Sequence, residues 1–115
     1  MTITQLQEGP VILIGYEYRL QLEAEADLFP EGAAFAGQLR STIAATSVLA
    51  EVSTSAGSVL RLNERTLEIV LTPAITSSFM AGGVVLDLVR TDLTPDRHLG
   101  FLLEIPVALP VTRGL

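Results

Sequence analysis

The 115-residue chain contains no cysteine, no tryptophan and no lysine. Without cysteine, no disulfide can cross-link the fold, and no thiolate can serve as a nucleophile or a metal ligand. Without lysine, the seven basic residues are all arginines scattered along the chain, against 13 acidic residues and a formal net charge of -6. Because such a chain lacks the basic cluster that phosphate backbones require, we expect no nucleic-acid partner.

Sequence motifs of catalysis are also missing. The one histidine, His98, falls in a predicted loop beside Asp96 and Arg97. A lone histidine without cysteine does not complete a usual zinc site, so we interpret His98 as a solvated loop residue. No G-x-S-x-G elbow, P-loop or G-x-G-x-x-G motif occurs in the chain. The sequence therefore predicts no enzymatic activity, no metal and no cofactor.

Two groups of acidic residues are candidate sites. The first is Glu23, Glu25 and Asp27, of which alternation places Glu23 and Glu25 on the polar face of a predicted strand, where solvated carboxylates make poor general acids at neutral pH. Asp92, Thr94 and Asp96 have an alternating spacing that resembles a calcium loop. They lack the central glycine and the later glutamate of an EF-hand loop. We interpret the first group as a solubilising strand edge, and we expect no calcium site at Asp92, Thr94 and Asp96.

Apolar residues are abundant, since hydrophobic residues form 49% of the chain and aromatic residues only 5%. Much apolar surface must be buried, either in the core or against partner subunits.

The length suits one domain, residues 1–115, with extended N- and C-terminal segments. No signal peptide is visible, and the apolar run Val11–Gly15 is far too short to span a membrane, so we expect no membrane insertion.

Alternation of apolar and polar residues is the strongest structural signal. In Tyr16–Ala24 every second residue is apolar, which is typical of a half-buried strand. Turn signals recur about every 8–12 residues, a spacing typical of all-β folds. Pro106 inside the last run predicts an edge strand. The further predicted strands are Ala34–Arg40, Val48–Val52, Ser58–Leu62 with Leu60 and Leu62 facing inward, Thr66–Thr72, Val84–Thr91 and Gly100–Leu109.

One segment breaks this alternation. Pro73–Met80 places Ile75, Phe79 and Met80 at helical spacing after a proline that suits the first helical position, so we expect one or two turns of helix. The whole pattern predicts an all-β fold, an antiparallel immunoglobulin-like β-sandwich of about seven strands with one short helical turn. A small closed barrel is the alternative.

Asp87 stands out as an acid within an apolar run, Val84–Val89. If its side chain faces inward, it needs a cationic partner, because an unpaired buried charge is costly. If its side chain faces outward, it is an ordinary solvated residue. The simplest partners are Arg40 and Arg61. We predict a structural ion pair between Asp87 and Arg40 in preference to a catalytic role.

The order of short segments from Gly37 to Arg113 resembles that of small proteins encoded among the tail genes of phages and prophages. The matching segments are Leu39-Arg40, Val48–Val52, Ala56-Gly57-Ser58, Thr66–Leu71, Pro73–Thr76, Gly83–Leu88 and Ile105–Arg113. The extra acidic strand at Tyr16–Glu25 and the apolar start depart from that pattern. The departure leaves open which tail component the chain resembles.

The resemblance implies a non-catalytic β-sandwich subunit of the virion tail, assembled in the bacterial host cytoplasm, with other tail proteins and further copies of itself as partners. Candidate contact segments are Met1–Glu8 and Val107–Leu115, because protein contacts often use extended termini and strand edges. The alternative interpretation of both segments is frayed chain ends. A receptor- or carbohydrate-binding β-sandwich is the alternative function. The individual residues expected to contact partners are Val107, Leu109, Val111, Thr112, Arg113 and Leu115.

Overall fold

The computed structural model of the protein describes residues 11–114. Within this range the fold is all-β, with nine strands and one helix of four residues. Two of the strands are only two residues long. In chain order the elements are β1 (Ile12–Leu13), β2 (Tyr18–Glu23), β3 (Phe35–Arg40), β4 (Ala50–Ser53), β5 (Val59–Asn63), β6 (Thr66–Leu71), α1 (Pro73–Thr76), β7 (Gly82–Arg90), β8 (Arg97–His98) and β9 (Leu103–Ala108).

The strands form two sheets. The larger sheet has the order β1-β9-β7-β3-β4, with β8 paired to β7, and the smaller sheet has the order β2-β6-β5. Every recorded pairing is antiparallel except that of β1 with β9, which is parallel. The prediction of a mostly antiparallel all-β fold is therefore confirmed.

The two sheets contribute side chains to one hydrophobic core. Alternation places Val84, Leu86 and Leu88 of β7 in the core, together with Leu67, Ile69 and Leu71 of β6. Phe29 and Phe35 meet edge to face, with ring centroids 5.5 Å apart. Edge-to-face contact is a favoured geometry for aromatic pairs, so these two rings fix how the loop before β3 packs on the core.

The predicted inward faces are confirmed in most strands and wrong in one. Tyr18, Leu20 and Leu22 of β2 are buried, as the alternation predicts. In β5, however, Val59 is buried and Leu62 is 46% exposed, so the strand has the opposite phase to the predicted one. The pairing of β5 with β6 shifts register between Arg61 and Asn63. Val59 pairs with Ile69 and Arg61 pairs with Leu67, the inward residues of β6, so Arg61 and not Leu60 continues the inward face ahead of that shift.

Pro106 sits where a missing N–H costs no pairing with β7. Ile14 N–H donates to the Ala108 carbonyl at 3.0 Å, so the backbone of Ala108 points toward the β1 side of β9. Backbone direction alternates along a strand, so Pro106 points to that side as well. In the part of the chain that the structure describes, β1 pairs with Val107 and Ala108, and no described strand pairs with β9 on that side at Pro106. The prediction that Pro106 marks an edge strand is therefore wrong, because β9 lies between β1 and β7 in the sheet.

The helix α1 is shorter than the predicted Pro73–Met80. Thr72 caps its first turn, since its hydroxyl accepts a hydrogen bond from Ile75 N–H at 3.3 Å, and Pro73 opens the helix. At its end Thr76 is fully buried and its hydroxyl donates to the Tyr16 carbonyl at 2.8 Å. The same oxygen accepts from Gly15 N–H at 3.1 Å. The short helix therefore holds the turn between β1 and β2.

Candidate interaction surface

The predicted contact residues of the C-terminal segment divide into buried and exposed ones. Val107 is buried, with 4% of its surface exposed, because alternation along β9 turns it inward with Leu103 and Ile105. The prediction that Val107 contacts a partner is therefore wrong. Leu109 is 57% exposed and Val111 is 97% exposed. Thr112 and Arg113 are also exposed. Leu115 and the segment Met1–Glu8 lie outside the described residues.

The exposed C-terminal segment is attached to the body of the fold. The Tyr16 hydroxyl donates to the Thr112 carbonyl at 2.7 Å, and the Arg113 guanidinium donates to the Pro110 carbonyl at 3.1 Å. A depression of about 410 Å³ lies between this segment and the β1–β2 turn. Its walls are formed by Ile14, Gly15, Tyr16, Leu109, Arg113 and Gly114. The segment is thus held against the β1–β2 turn, while its apolar side chains Leu109 and Val111 are exposed to solvent.

The outer face of the larger sheet is partly apolar. On β7 the outward residues are Val85, Asp87 and Val89, and Val85 and Val89 are half-buried. On β9 the outward residues Pro106 and Ala108 are half-buried as well. Leu13 pairs with Ala108 and is 39% exposed. This apolar strip extends across β1, β9 and β7 and ends beside the exposed C-terminal segment.

Asp87 pairs with a different residue from the predicted one. Its carboxylate lies 2.8 Å from Nε2 of His98 on the neighbouring strand β8. Arg40 instead donates to the Gln38 side chain at 2.8 Å and to the Ala45 carbonyl at 2.9 Å. The predicted ion pair of Asp87 with Arg40 is therefore replaced by a contact with His98. Asp87 faces the outer surface, so it needs no buried cation.

His98 has no ring nitrogen left for proton transfer. Gly100 N–H donates to Nδ1 at 2.8 Å, so Nδ1 is an acceptor and the ring proton lies on Nε2, facing Asp87. A general base keeps one ring nitrogen directed at the reacting group, as in the Ser-His-Asp arrangement. Here both nitrogens are used by the protein itself. This geometry supports a structural role for His98, although the loop placement predicted for it gives way to strand β8.

Asp92 and Asp96, considered above as part of a calcium loop, contact different parts of the protein. Asp92 binds Arg90, with 2.6 Å between Oδ2 and the guanidinium, and accepts Ala34 N–H at 3.1 Å. The hydrogen bond from Arg90 lowers the pKa of Asp92 to about 2. Asp96 lies elsewhere, at the wall of a groove of about 540 Å³ that also includes Glu51 and Asp87. Within residues 11–114, no group of three potential metal-ligating side chains is close enough to hold an ion.

Comparison with known proteins yields no relative: no protein-family model, no curated protein and no solved structure matches this chain. Among the described residues, no helix has the length and apolar character needed to cross a membrane.

Proposed function

We propose that this protein is a structural subunit of a phage tail or baseplate that joins tail components, or anchors fibres, through protein–protein contacts. In this proposal its two sheets form an immunoglobulin-like sandwich, and copies of the chain associate within the assembly. The order of short sequence segments between Gly37 and Arg113, which resembles that of phage tail proteins, supports this class of protein. The arrangement of exposed apolar side chains supports contact as its activity.

One observation carries the proposal: the C-terminal segment is attached to the fold and yet presents its apolar side chains to solvent. Val111 is 97% exposed, although the neighbouring Thr112 carbonyl is held by the Tyr16 hydroxyl at 2.7 Å. Holding a segment in place costs conformational entropy, and an exposed apolar side chain gives nothing back in the isolated chain. Such positioned apolar surface is typical of a contact site for another protein.

The experiment is a binding assay between this protein and the products of the genes that flank its own. We expect stable binding to at least one of these products, and loss of at least tenfold in affinity when Leu109→Ser and Val111→Ser are combined. The matched control is Met80→Ser, because Met80 is an exposed apolar residue, 83% accessible, in the α1–β7 connection. Circular dichroism would establish that all variants are folded. A protein that binds none of its neighbours, or a double variant that binds unchanged, would contradict the proposal.

The alternative function is binding of a receptor glycan. Sugar-binding surfaces use exposed aromatic rings, and of the two tyrosines and four phenylalanines only Tyr16 is exposed, at 39%. Tyr16 lines the depression beside the C-terminal segment, where a single ring could stack on a sugar. A glycan array tests this function. A reproducible signal that disappears in Tyr16→Ala would favour glycan recognition over assembly.

A further inference from the structure

The free edge of β2 is a surface that the proposed tail contacts do not use. β2 is the outer strand of the smaller sheet, and among the described residues β6 is its one strand neighbour. Ala24 N–H donates to the Arg65 carbonyl at 2.8 Å, so the backbone of Ala24 points toward β6. Because backbone direction alternates, Leu22 and Leu20 also point toward β6, whereas Arg19 and Gln21 point away from it. The edge therefore presents backbone donors and acceptors outward.

We propose that this edge pairs with β2 of a second copy of the chain, antiparallel and centred on Gln21. The pairing would join two three-stranded sheets into one continuous sheet. The register follows from the backbone, since only residues whose N–H and C=O groups point outward can form the new hydrogen bonds. Pairing Gln21 with Gln21 of the second copy satisfies this condition and aligns the whole of residues 18–24, whereas the register that pairs Arg19 with Gln21 places Glu17 opposite Glu23.

The side chains on this edge are complementary to themselves in that register. Arg19 lies two residues before Gln21 and Glu23 two residues after it. A two-fold pairing therefore places Arg19 of each copy opposite Glu23 of the other, and opposite charges across a strand pair are stabilising. On the other face Leu20 lies opposite Leu22 of the second copy, which continues the apolar core across the contact.

Charged residues on an edge strand usually prevent pairing with other chains. Here the charges at the two ends of β2 have opposite sign, so the same residues that repel an in-register parallel copy favour the centred antiparallel one. Only Glu17 and Glu25 would oppose each other, just beyond the strand ends. Both are exposed, and salt screens such surface repulsion.

A two-fold contact of this kind closes on itself and yields a dimer. It uses neither the C-terminal segment nor the outer face of the larger sheet. The inference therefore does not depend on the tail function, and either proposal can fail without the other.

Sedimentation equilibrium of the intact chain tests the inference. We expect a monomer–dimer equilibrium that Gln21→Pro shifts to monomer by at least tenfold. Proline at this position removes an N–H that points away from β6, so the fold keeps all its β2–β6 hydrogen bonds. The matched control Gln21→Ala keeps that N–H and is expected to dimerise normally. A wild-type chain that stays monomeric to about 1 mM, or a Gln21→Pro variant that dimerises like wild type, overturns the inference.

Charge exchange provides a test that does not involve proline. Arg19→Glu and Glu23→Arg each place like charges opposite each other in a homodimer, so each variant alone is expected to be monomeric. Mixing the two restores both opposite-charge pairs, and a heterodimer is expected. Arg97→Glu, on β8 of the other sheet, is the control with the same change of charge. Variants that dimerise alone, or a mixture that stays monomeric, would contradict the centred register.

Discussion

The Asp87 carboxylate and the His98 ring meet on the outer face of the larger sheet, with 2.8 Å between Oδ2 and Nε2. His98 pairs with Val89 in the ladder between β7 and β8, so the contact with Asp87 runs diagonally across that short pair. Because Gly100 N–H donates to the other ring nitrogen, the imidazole connects β7 to the chain just after β8. This single side chain holds a two-residue strand that has little other pairing.

A double-mutant cycle measures how much this contact stabilises the fold. His98→Ala, Asp87→Ala and the double variant are expected to give a coupling free energy of about 0.5–1 kcal/mol, since both side chains are partly exposed. His98→Ala alone should cost more than the coupling, because it also removes the acceptor of Gly100 N–H. Urea unfolding of the four proteins provides the values. The control cycle pairs His98→Ala with Asp96→Ala, and equal coupling in the two cycles would refute the role of the contact.

The pair also shows where prediction from sequence succeeds and where it stops. Alternation along β7 predicts that Asp87 lies on the face of the sheet away from the buried Leu86 and Leu88, because strand periodicity is a local property of the sequence. The partner of Asp87 depends on which strand lies alongside β7, and His98 reaches it through a two-residue strand with no periodic signal. Arg40, the expected partner, is held by groups of its own neighbourhood. The local sequence pattern therefore cannot predict which distant residue contacts Asp87.

The same distinction explains the contact residues. The predicted contact segment includes Val107, although strict alternation with Leu103 and Ile105 turns this residue inward. Leu109 and Val111 follow the end of β9, where periodicity no longer constrains them, and they are exposed. The sequence pattern does not identify Thr76 as a buried residue that holds a turn. A buried threonine that holds a distant turn has the same sequence signature as a threonine in solvent.

Gly37 is required by close packing of three strands. It pairs with Leu88 of β7 and Val52 of β4, and a Cβ atom at this position would collide with the Asp87 carbonyl and lie 2.6 Å from Cδ2 of Leu88. Backbone cannot yield as a flexible side chain does, so Gly37→Ala should lower the free energy of unfolding by about 1–3 kcal/mol. Denaturant titration measures the loss.

Gly83→Ala is the matched control for that substitution. Gly83 is also a strand glycine, but its nearest neighbour to an added Cβ is the Ile105 carbonyl at 3.4 Å, an ordinary contact distance. We expect this variant to unfold within about 0.5 kcal/mol of the wild type, as substitutions without a specific conflict do. Equal destabilisation by the two alanines would show that the close approach at Gly37 is not the cause.

Thr76→Val tests the buried hydroxyl that joins α1 to the β1–β2 turn. Valine keeps the shape of the side chain but removes the acceptor for Gly15 N–H and the donor to the Tyr16 carbonyl. An intramolecular hydrogen bond contributes about 0.5–1.5 kcal/mol, so the loss of these two bonds should lower the unfolding free energy by about 1–3 kcal/mol. Ser78→Ala is the control, since its exposed hydroxyl bonds only to the Ile75 carbonyl of its own turn. If Thr76→Val is no less stable than Ser78→Ala, the proposed role of the Thr76 hydroxyl is contradicted.

Tyr18 makes the stability of the protein sensitive to alkaline pH. Its ring is 5% exposed, and its hydroxyl has no hydrogen-bond partner among residues 11–114. Burial raises the pKa of Tyr18 to about 12, because the charged phenolate loses its solvation. The unfolded chain, with a tyrosine pKa near ~10, loses this proton first, so stability is constant below that pH and falls as the pH rises toward 12.

Tyr18→Phe removes this alkaline dependence. At neutral pH the variant should be as stable as the wild type or more stable, because the hydroxyl it lacks is buried without a partner. Between pH 10 and pH 12 the wild type should lose stability relative to the variant, as followed by denaturant unfolding at each pH. Tyr16→Phe is the matched control, since it leaves Tyr18 in place and should keep the alkaline loss. If Tyr18→Phe and the wild type decline in parallel above pH 10, the buried phenol is not the group responsible.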